Sequence, residues 1–374
     1  MTIKFNKPFA DGKELKYISE AIEHGHLSGN GPYTKRCQAF FEERYNFNKC
    51  LLTTSCTDAL EMTALLLNIN PNDEIIIPSY TFVSSALAFV RQGAKIVFCD
   101  SRSDHPGLDE NLIESHITSK TKAIVVVHYA GVAVNMDKIV NLAERYNIFI
   151  IEDAAQAIDS YYNAKPLGGI GHFGCFSFHE TKNIQCGEGG LLVINDEKFV
   201  KRSEIIWEKG TNRADFFRGE VNKYGWVDIG SSFLPSEINA AFLWSQLEKI
   251  DEIQEKRKKI WYWYWDRLKS INDFIDLPYI PEYSTNNAHM FYILCKKTDD
   301  RDELLQYLKK KKIKAVFHYL SLHSSSFAKK NFMKVNLPNS DYYMERLIRL
   351  PFYFDLSEKE VDNICKIIRQ YFKK

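Results

Sequence analysis

The chain has 374 residues, with 49 basic against 48 acidic side chains. That length is more than one hydrophobic core usually serves, so a large domain, a smaller one and a cleft between them are expected. The balanced charge excludes the excess needed to coat nucleic acid or an anionic membrane, which leaves small molecules and further copies of the chain as partners. Residues 1–8 alternate polar and apolar types without the apolar run of a signal sequence, and no apolar stretch reaches membrane-spanning length, so a cytoplasmic protein is expected. The eight cysteines are scattered without CxxC pairs, which predicts reduced, mostly buried thiols and neither a metal site nor a disulfide framework.

From about residue 50 to 195, short β-branched runs alternate with amphipathic segments, the pattern of a mostly parallel sheet covered by helices. In chain order the pattern predicts a helix over 57–67, a strand over 74–77, a helix over 84–91, a strand over 95–99, a helix over 110–117, a strand over 123–127 and a helix over 136–146. Strands over 148–151, 173–178 and 191–194 follow. A long helical pattern then runs from Ser236 to about Ile271, and Pro278 and Pro281 mark its end. The last part reads as a smaller α/β unit with strands over 290–295 and 315–319 and a closing helix over 358–372. The expected division is 1–250 for the large domain and 251–374 for the small one, with no internal repeat.

In open α/β sheets ligands collect at the carboxyl ends of strands. At Thr53-Thr54-Ser55-Cys56-Thr57-Asp58 an apolar run gives way to hydroxyl residues and a helical pattern, which suits a phosphate cradle and equally an ordinary helix cap. At Ile150-Ile151-Glu152-Asp153 a buried strand ends in acids, which need a positive partner such as a protonated pyridine nitrogen, or else form a cap or a structural ion pair. Metal ligation by the two acids ranks lower, since no histidine ligand stands near. Lys182 follows another buried strand and precedes the turn Gly187-Glu188-Gly189-Gly190, a place where an amine loses its proton more readily than at the surface, as imine formation requires.

These segments, together with Ser28-Gly29-Asn30-Gly31, Pro78-Ser79-Tyr80-Thr81-Phe82, Glu152-Asp153-Ala154-Ala155-Gln156 and the run from Ser177 to Gly190, resemble in order the DegT/DnrJ/StrS sugar aminotransferases among the fold-type I pyridoxal-phosphate enzymes. The resemblance covers nearly the whole chain. It is strongest toward the branch that makes dTDP-4-amino-4,6-dideoxygalactose, through His128-Tyr129-Ala130-Gly131, His179-Glu180-Thr181-Lys182-Asn183, Glu208-Lys209-Gly210-Thr211-Asn212-Arg213, Asp228-Ile229-Gly230-Ser231-Ser232 and Phe317-His318-Tyr319. It implies that Lys182 holds pyridoxal 5'-phosphate covalently and shuttles the proton to the substrate carbon. Asp153 would bind the pyridine nitrogen, Gln156 would lie near the ring oxygen, Phe82 would stack on the ring, and Cys56, Thr57 and Ser177 would hold the phosphate. Family members often take a further phosphate contact from an Asn of the neighbouring subunit. Here Gly230-Ser231-Ser232-Phe233-Leu234 stands in that segment, and the Ser232 hydroxyl would serve.

The resemblance further implies a homodimer with interface active sites, L-glutamate as amino donor and a dTDP-4-keto-6-deoxyhexose as acceptor, in bacterial surface-polysaccharide (O-antigen, lipopolysaccharide) synthesis. Tyr129, His179, His318 and Tyr319 would read the sugar, although the His-Tyr pairs could equally fill half-buried strand ends. Amination at C3 and a non-catalytic, cofactor-binding relative remain the alternatives; retention of Lys182 and Asp153 argues against the second. The aromatic run Trp261-Tyr262-Trp263-Tyr264-Trp265 among basic residues invites a nucleic-acid reading, but at helical spacing its rings diverge, and packing between domains or subunits is expected. Lys309 to Lys312 read as a solvated helix end.

Overall fold

The computed structural model describes residues 2–373. Seven strands form its central sheet: β1 (Lys49–Thr53), β2 (Glu74–Pro78), β3 (Lys95–Cys99), β4 (Thr121–Val127), β5 (Phe149–Asp153), β6 (Phe173–Ser177) and β7 (Gly190–Ile194). Their order is β1-β7-β6-β5-β4-β2-β3. Neighbours from β3 to β6 run parallel, and β7 runs against both β6 and β1. The strands are near-continuous apolar runs because both faces are covered. Ile75, Ile77, Val125 and Ile151 pack on one face with α3 (Cys56–Leu66) and α4 (Ser84–Val90), while Ile76, Val126 and Ile150 pack on the other with α2 (Pro32–Tyr45), α5 (Met136–Tyr146) and α7 (Glu237–Leu247). Two helices not yet placed are α1 (Lys13–Glu23), which packs on α7, and α6 (Val200–Trp207), which packs on α3.

Register positions the site. Val127 is paired with Asp153 and Asp153 with Cys175, so the carboxyl ends of β4 and β5 lie level on one rim of the sheet and β6 runs two residues further along it, to Ser177.

The smaller unit is an antiparallel sheet of β8 (Ile275–Asp276), β9 (Tyr292–Cys295), β10 (Val316–Phe317) and β11 (Leu347–Arg349), in the order β8-β9-β11-β10. It is packed with α8 (Ile250–Leu268), α9 (Thr298–Lys310) and α11 (Glu358–Phe372) around a core of its own; α10 (Pro338–Arg346) leads into β11. Ile3 joins this core and pairs with Ile313, so the start of the chain reaches across to it.

Two expectations differ from what is observed. The single helical pattern from Ser236 to Ile271 is two helices, α7 and α8, parted at Glu248-Lys249. Ile250 and Ile253 pack with α2, α5 and α7 against the large sheet and Ile260 onward in the core of the smaller unit, so α8 ties the two units together; 250/251 is proposed as the boundary. The helix expected over 110–117 is a single turn, Ile113–His116, because the chain before it folds back on β3, with Ser101 bridging Leu108 and Asp109 N–H donating to Asp100 at 2.9 Å. Trp261 and Tyr264 are buried within the core of the smaller unit, and of the aromatic run only Tyr262 is strongly exposed, so this helix offers little free apolar face to a partner. No helix among the described residues is long and apolar enough to cross a membrane.

Candidate active site

The rim of the large sheet and loops of the smaller unit enclose a cavity of about 520 Å³. Its first wall is the start of α3. Ser55 is extended and its hydroxyl accepts the N–H of Asp58 at 3.1 Å, capping the helix and turning the first residues, Cys56 and Thr57, into the cavity. The helix can begin here because Gly190 passes beneath it: a Cβ on Gly190 would stand 2.3 Å from the Ser55 carbonyl carbon. Thr57 and Ser84 share a hydroxyl hydrogen bond of 2.8 Å, and Ser177 closes this side at the end of β6. Burial pushes the Cys56 thiol well up, so this residue offers backbone N–H rather than a thiolate.

At the end of β5, strand alternation sends the adjacent acids to opposite faces. Asp153 faces the cavity, accepting the Ser85 hydroxyl at 2.7 Å and the Ala155 N–H at 3.2 Å. Glu152 is fully buried on the other face and accepts the N–H groups of Gly168, Ile170 and Gly171 at 2.8, 2.7 and 2.6 Å. His128 Nε2 lies 2.9 Å from the same carboxylate, so His128 belongs to this structural knot.

Lys182 lines the same cavity from a pinned loop. Its own N–H donates to His179 at 2.9 Å, and the next residue, Asn183, donates to Gln254 at 2.8 Å and to the Asn287 carbonyl at 2.9 Å while bonding His289 at 2.9 Å. Burial lowers the Lys182 ammonium to about 8; Cys56 and Asp153 pull it back up, and the positive charge of Arg349 adds to the fall.

Phe82 overhangs the cavity with 57% of its surface exposed, its ring centroid 6.0 Å from that of Tyr319. Gln156 accepts the Ala130 N–H at 2.6 Å and donates to the Tyr319 hydroxyl at 3.2 Å. The far wall comes from the smaller unit and brings His289, His318, Tyr319 and Arg349. An Arg349 Nη1–H lies 3.2 Å from His318 Nε2. A guanidinium can only donate, so His318 Nε2 is the bare nitrogen and its Nδ1–H donates to the Tyr129 hydroxyl at 3.0 Å. Burial and the Arg349 charge both hold His318 well below the usual imidazole range, in agreement with that neutral tautomer.

Lys182, Cys56, Thr57, Phe82, Asp153, Gln156, Ser177, His179, His318 and Tyr319 therefore meet in one cavity. Two expected residues do not line it. Tyr129 is fully buried behind His318, and Ser232 is exposed outside the cavity, its backbone bridged to Glu208. The sequence reading missed Ser84, Ser85, His289 and Arg349. Arg349 carries a signal that could have been read, a lone cation inside Leu347-Ile348-Arg349-Leu350-Pro351, where an unpaired charge is costly. The donor set suits a flat pyridine bearing a phosphate: helix N–H groups and hydroxyls, a carboxylate, an amine and an exposed ring line the same cavity.

The model of the DegT/DnrJ/EryC1/StrS aminotransferase family matches residues 8–369. Among solved structures, Helicobacter pylori PseC, an aminotransferase involved in the biosynthesis of pseudoaminic acid, is 26% identical over 100% of both chains, with a TM-score of 0.92. DesV of S. venezuelae is 27% identical, with a TM-score of 0.90 over 100% of this chain and 99% of its own. Spr1654 of Streptococcus pneumoniae, assigned as a sugar aminotransferase, is 25% identical in its PMP-form, with a TM-score of 0.92 over 99% of each chain, and is also solved in a PLP-form. The chain belongs to the DegT/DnrJ/EryC1/StrS aminotransferase family, with pyridoxal phosphate as its cofactor and the α/β aminotransferase fold.

Proposed function

We propose that this chain transfers the amino group of L-glutamate to C4 of a dTDP-linked 4-keto-6-deoxyhexose, giving a 4-amino-4,6-dideoxy sugar for surface-polysaccharide synthesis in the cytoplasm. The observation that carries the reading is the convergence of Lys182, Asp153 and the start of α3 on one cavity, whose remaining wall is made of hydroxyl, imidazole and guanidinium groups. A hydroxylated ring suits that wall better than an apolar side chain would.

Pyridoxal phosphate, when bound, supplies the electron sink for breaking and making bonds at the amine-bearing carbon. The chain's residues do the rest. The N–H groups of Cys56 and Thr57, with the Thr57 and Ser177 hydroxyls, would hold the phosphate; Asp153 would meet the pyridine nitrogen, Gln156 the ring oxygen and Phe82 the ring itself. Lys182, its ammonium lowered to about 8, has a neutral fraction near neutral pH and can take and return the proton at the reacting carbon from its Nζ. His179, His318 and Tyr319 orient the hexose, and Tyr129 acts through His318. In a homodimer Ser232, exposed on its own chain, would reach the phosphate of a neighbouring subunit's site.

Incubation with glutamate and a panel of dTDP-keto sugars, with products read by NMR, tests this. A C4-aminated 6-deoxyhexose is expected. A product aminated at C3 would replace the regiochemistry and leave the cofactor chemistry standing, whereas amination of no sugar at all would sink the proposal.

A further inference from the structure

Residues 3–11 form no helix and only one β-bridge, yet they are tied to both units of the molecule. At one end the Ile3 N–H donates to the Lys312 carbonyl at 3.0 Å, the Ile3 carbonyl accepts the Lys314 N–H at 3.1 Å, and the Phe5 carbonyl accepts the Phe352 N–H at 3.1 Å, all in the smaller unit. At the other end the Phe9 carbonyl accepts an Nε2–H of Gln246 on α7 at 3.2 Å, and Asp11 pairs with Lys249 at 2.5 Å. Between these anchors the strap crosses the loop that carries Lys182. An Nδ2–H of the half-buried Asn6 donates to the Glu180 carbonyl at 3.1 Å, and the Phe9 carbonyl also accepts an Nε2–H of Gln185 at 3.0 Å. Glu180 precedes Lys182 and Gln185 follows it, so the strap grips both limbs of the loop. The Gln185 side chain is buried and holds a second bond, accepting the Gly187 N–H at 2.9 Å. The Glu180 carbonyl has Asn6 as its one hydrogen-bond partner among the described residues. Pro8, with its fixed φ, also keeps Lys7 extended, so the reach from Asn6 to Phe9 is set by the backbone.

We propose that Asn6 is a positioning residue for Lys182, fixing the limb of the loop from which the amine reaches the cofactor. The inference rests on Lys182 as the residue that carries the cofactor and names what holds it in place. A lysine amine ends a long side chain, so a small rotation of the backbone at 180–182 is magnified at Nζ. With Asn6 in place, that limb is tied from outside by the strap, while Asn183 ties the loop from inside through Gln254 and the Asn287 carbonyl. Without it the inner bonds remain and the Glu180 side of the loop is free to turn. A reacting group held loosely costs rate even where no contact to the reactant is lost. Asn6 does not line the cavity, so removing its amide leaves the contacts to cofactor and substrate in place.

The test follows covalent attachment of pyridoxal phosphate to the cofactor-free protein, in which the lysine nitrogen bonds to the aldehyde carbon and one water leaves. Absorbance records the rate at rising cofactor for the wild type, Asn6→Leu, which keeps the shape without a donor, and Asn6→Gln, which keeps a donor. Asn6→Leu is expected to lower the maximal rate by about 3- to 10-fold, the worth of one hydrogen bond, with the half-saturating concentration held within about twofold. Asn6→Gln is expected to recover most of the rate. In the cofactor-free Asn6→Leu protein, amide hydrogen exchange should quicken over residues 178–187 alone, and melting should match the wild type. An unchanged maximal rate in Asn6→Leu would overturn the assignment, and so would a raised half-saturation at an unchanged rate, which would make Asn6 part of cofactor binding. Equal slowing in Asn6→Gln would show that the amide donor is not what acts. Lower melting with exchange quickened throughout the chain would make Asn6 structural and overturn it as well. Mass mapping after borohydride reduction separates the two readings: a pyridoxyl group on another lysine removes Lys182 and Asn6 together, whereas one on Lys182 with indifferent variants removes Asn6 alone.

Discussion

Glu152 and Asp153 are neighbours in sequence with the same functional group, yet they face different surroundings. Glu152 satisfies three backbone N–H groups of the 168–171 turn, whereas Asp153 accepts one hydroxyl and one N–H and keeps its remaining capacity for the cavity. Substitution should separate the two roles. Glu152→Ala strands three buried donors and His128, and is expected to lower unfolding stability by about 3–5 kcal/mol in a urea titration. Asp153→Asn should melt close to wild type and retain cofactor, while activity falls by about 100-fold or more, since an amide is a poor partner for a protonated ring nitrogen. The opposite pattern would exchange the assignments. Lys182 makes a second residue-scale prediction. Lys182→Met should lower transamination by at least about 1000-fold. In cofactor-free protein the same variant should be at least as stable as wild type at pH 7, because a buried ammonium lowered to about 8 disfavours the folded state at any pH below that value. Between pH 8 and the ordinary lysine range the folded wild type sheds its proton first, so the penalty is relieved and the gap should close. A gap independent of pH would mean that Lys182 is not the group titrating.

At the scale of elements, the start of α3 depends on a glycine in another strand. Gly190→Ala would press a methyl against the Ser55 carbonyl and the Cys56 nitrogen, which would stand only 2.3 and 2.5 Å away. The helix start must then shift, and cofactor affinity should drop by about tenfold or more while the rest of the sheet holds; unchanged affinity would show that the phosphate is held elsewhere. The turn Gly187-Glu188-Gly189-Gly190 was legible in the sequence, but this contact was not, because it joins residues far apart in the chain. The same distinction runs through the fold. The inner strands were readable because double burial writes them as unbroken β-branched runs. α2 was not, because Thr34 and Gln38 interrupt its buried stripe; each bonds a group outside the helix, Thr34 the Glu237 carboxylate and Gln38, through its Nε2–H, the Cys50 carbonyl. Glu237 also accepts the N–H groups of Gly31 and Tyr33, so the Ser28-Gly29-Asn30-Gly31 motif that helped mark the family is anchored on α7. Most cavity residues could be placed from the ends of inner strands and the motifs around them. Arg349 sits on a three-residue strand whose pairing gives no periodic signal, and Tyr129 lies one layer deeper than its position after β4 implied.

At the scale of the whole molecule, an exposed apolar stretch lies not on the aromatic helix α8 but on the segment after α6. Phe217, Trp226, Val227 and Ile229 are 68, 85, 55 and 55% exposed, close in sequence to Ser232, and Phe82 and Val83 at the cavity are 57 and 48% exposed. The Trp226 ring is held in place, since its indole N–H donates to the Asp228 carbonyl at 2.7 Å. A fixed, exposed tryptophan is the kind of anchor that closes a two-fold interface, where one patch meets its own copy. If the proposed homodimer uses this segment, Trp226→Asp should weaken association by about 30- to 1000-fold, the loss of about 2–4 kcal/mol at a central aromatic contact. Sedimentation should then move from dimer to monomer mass at micromolar protein. Activity should fall with it, although Trp226 does not line the chain's own cavity, because Ser232 would no longer reach a neighbour's phosphate site. Raising the protein concentration should restore mass and activity together. A monomeric variant with full activity would show that each chain carries a complete site, and a dimer untouched by the substitution would place the interface on another face.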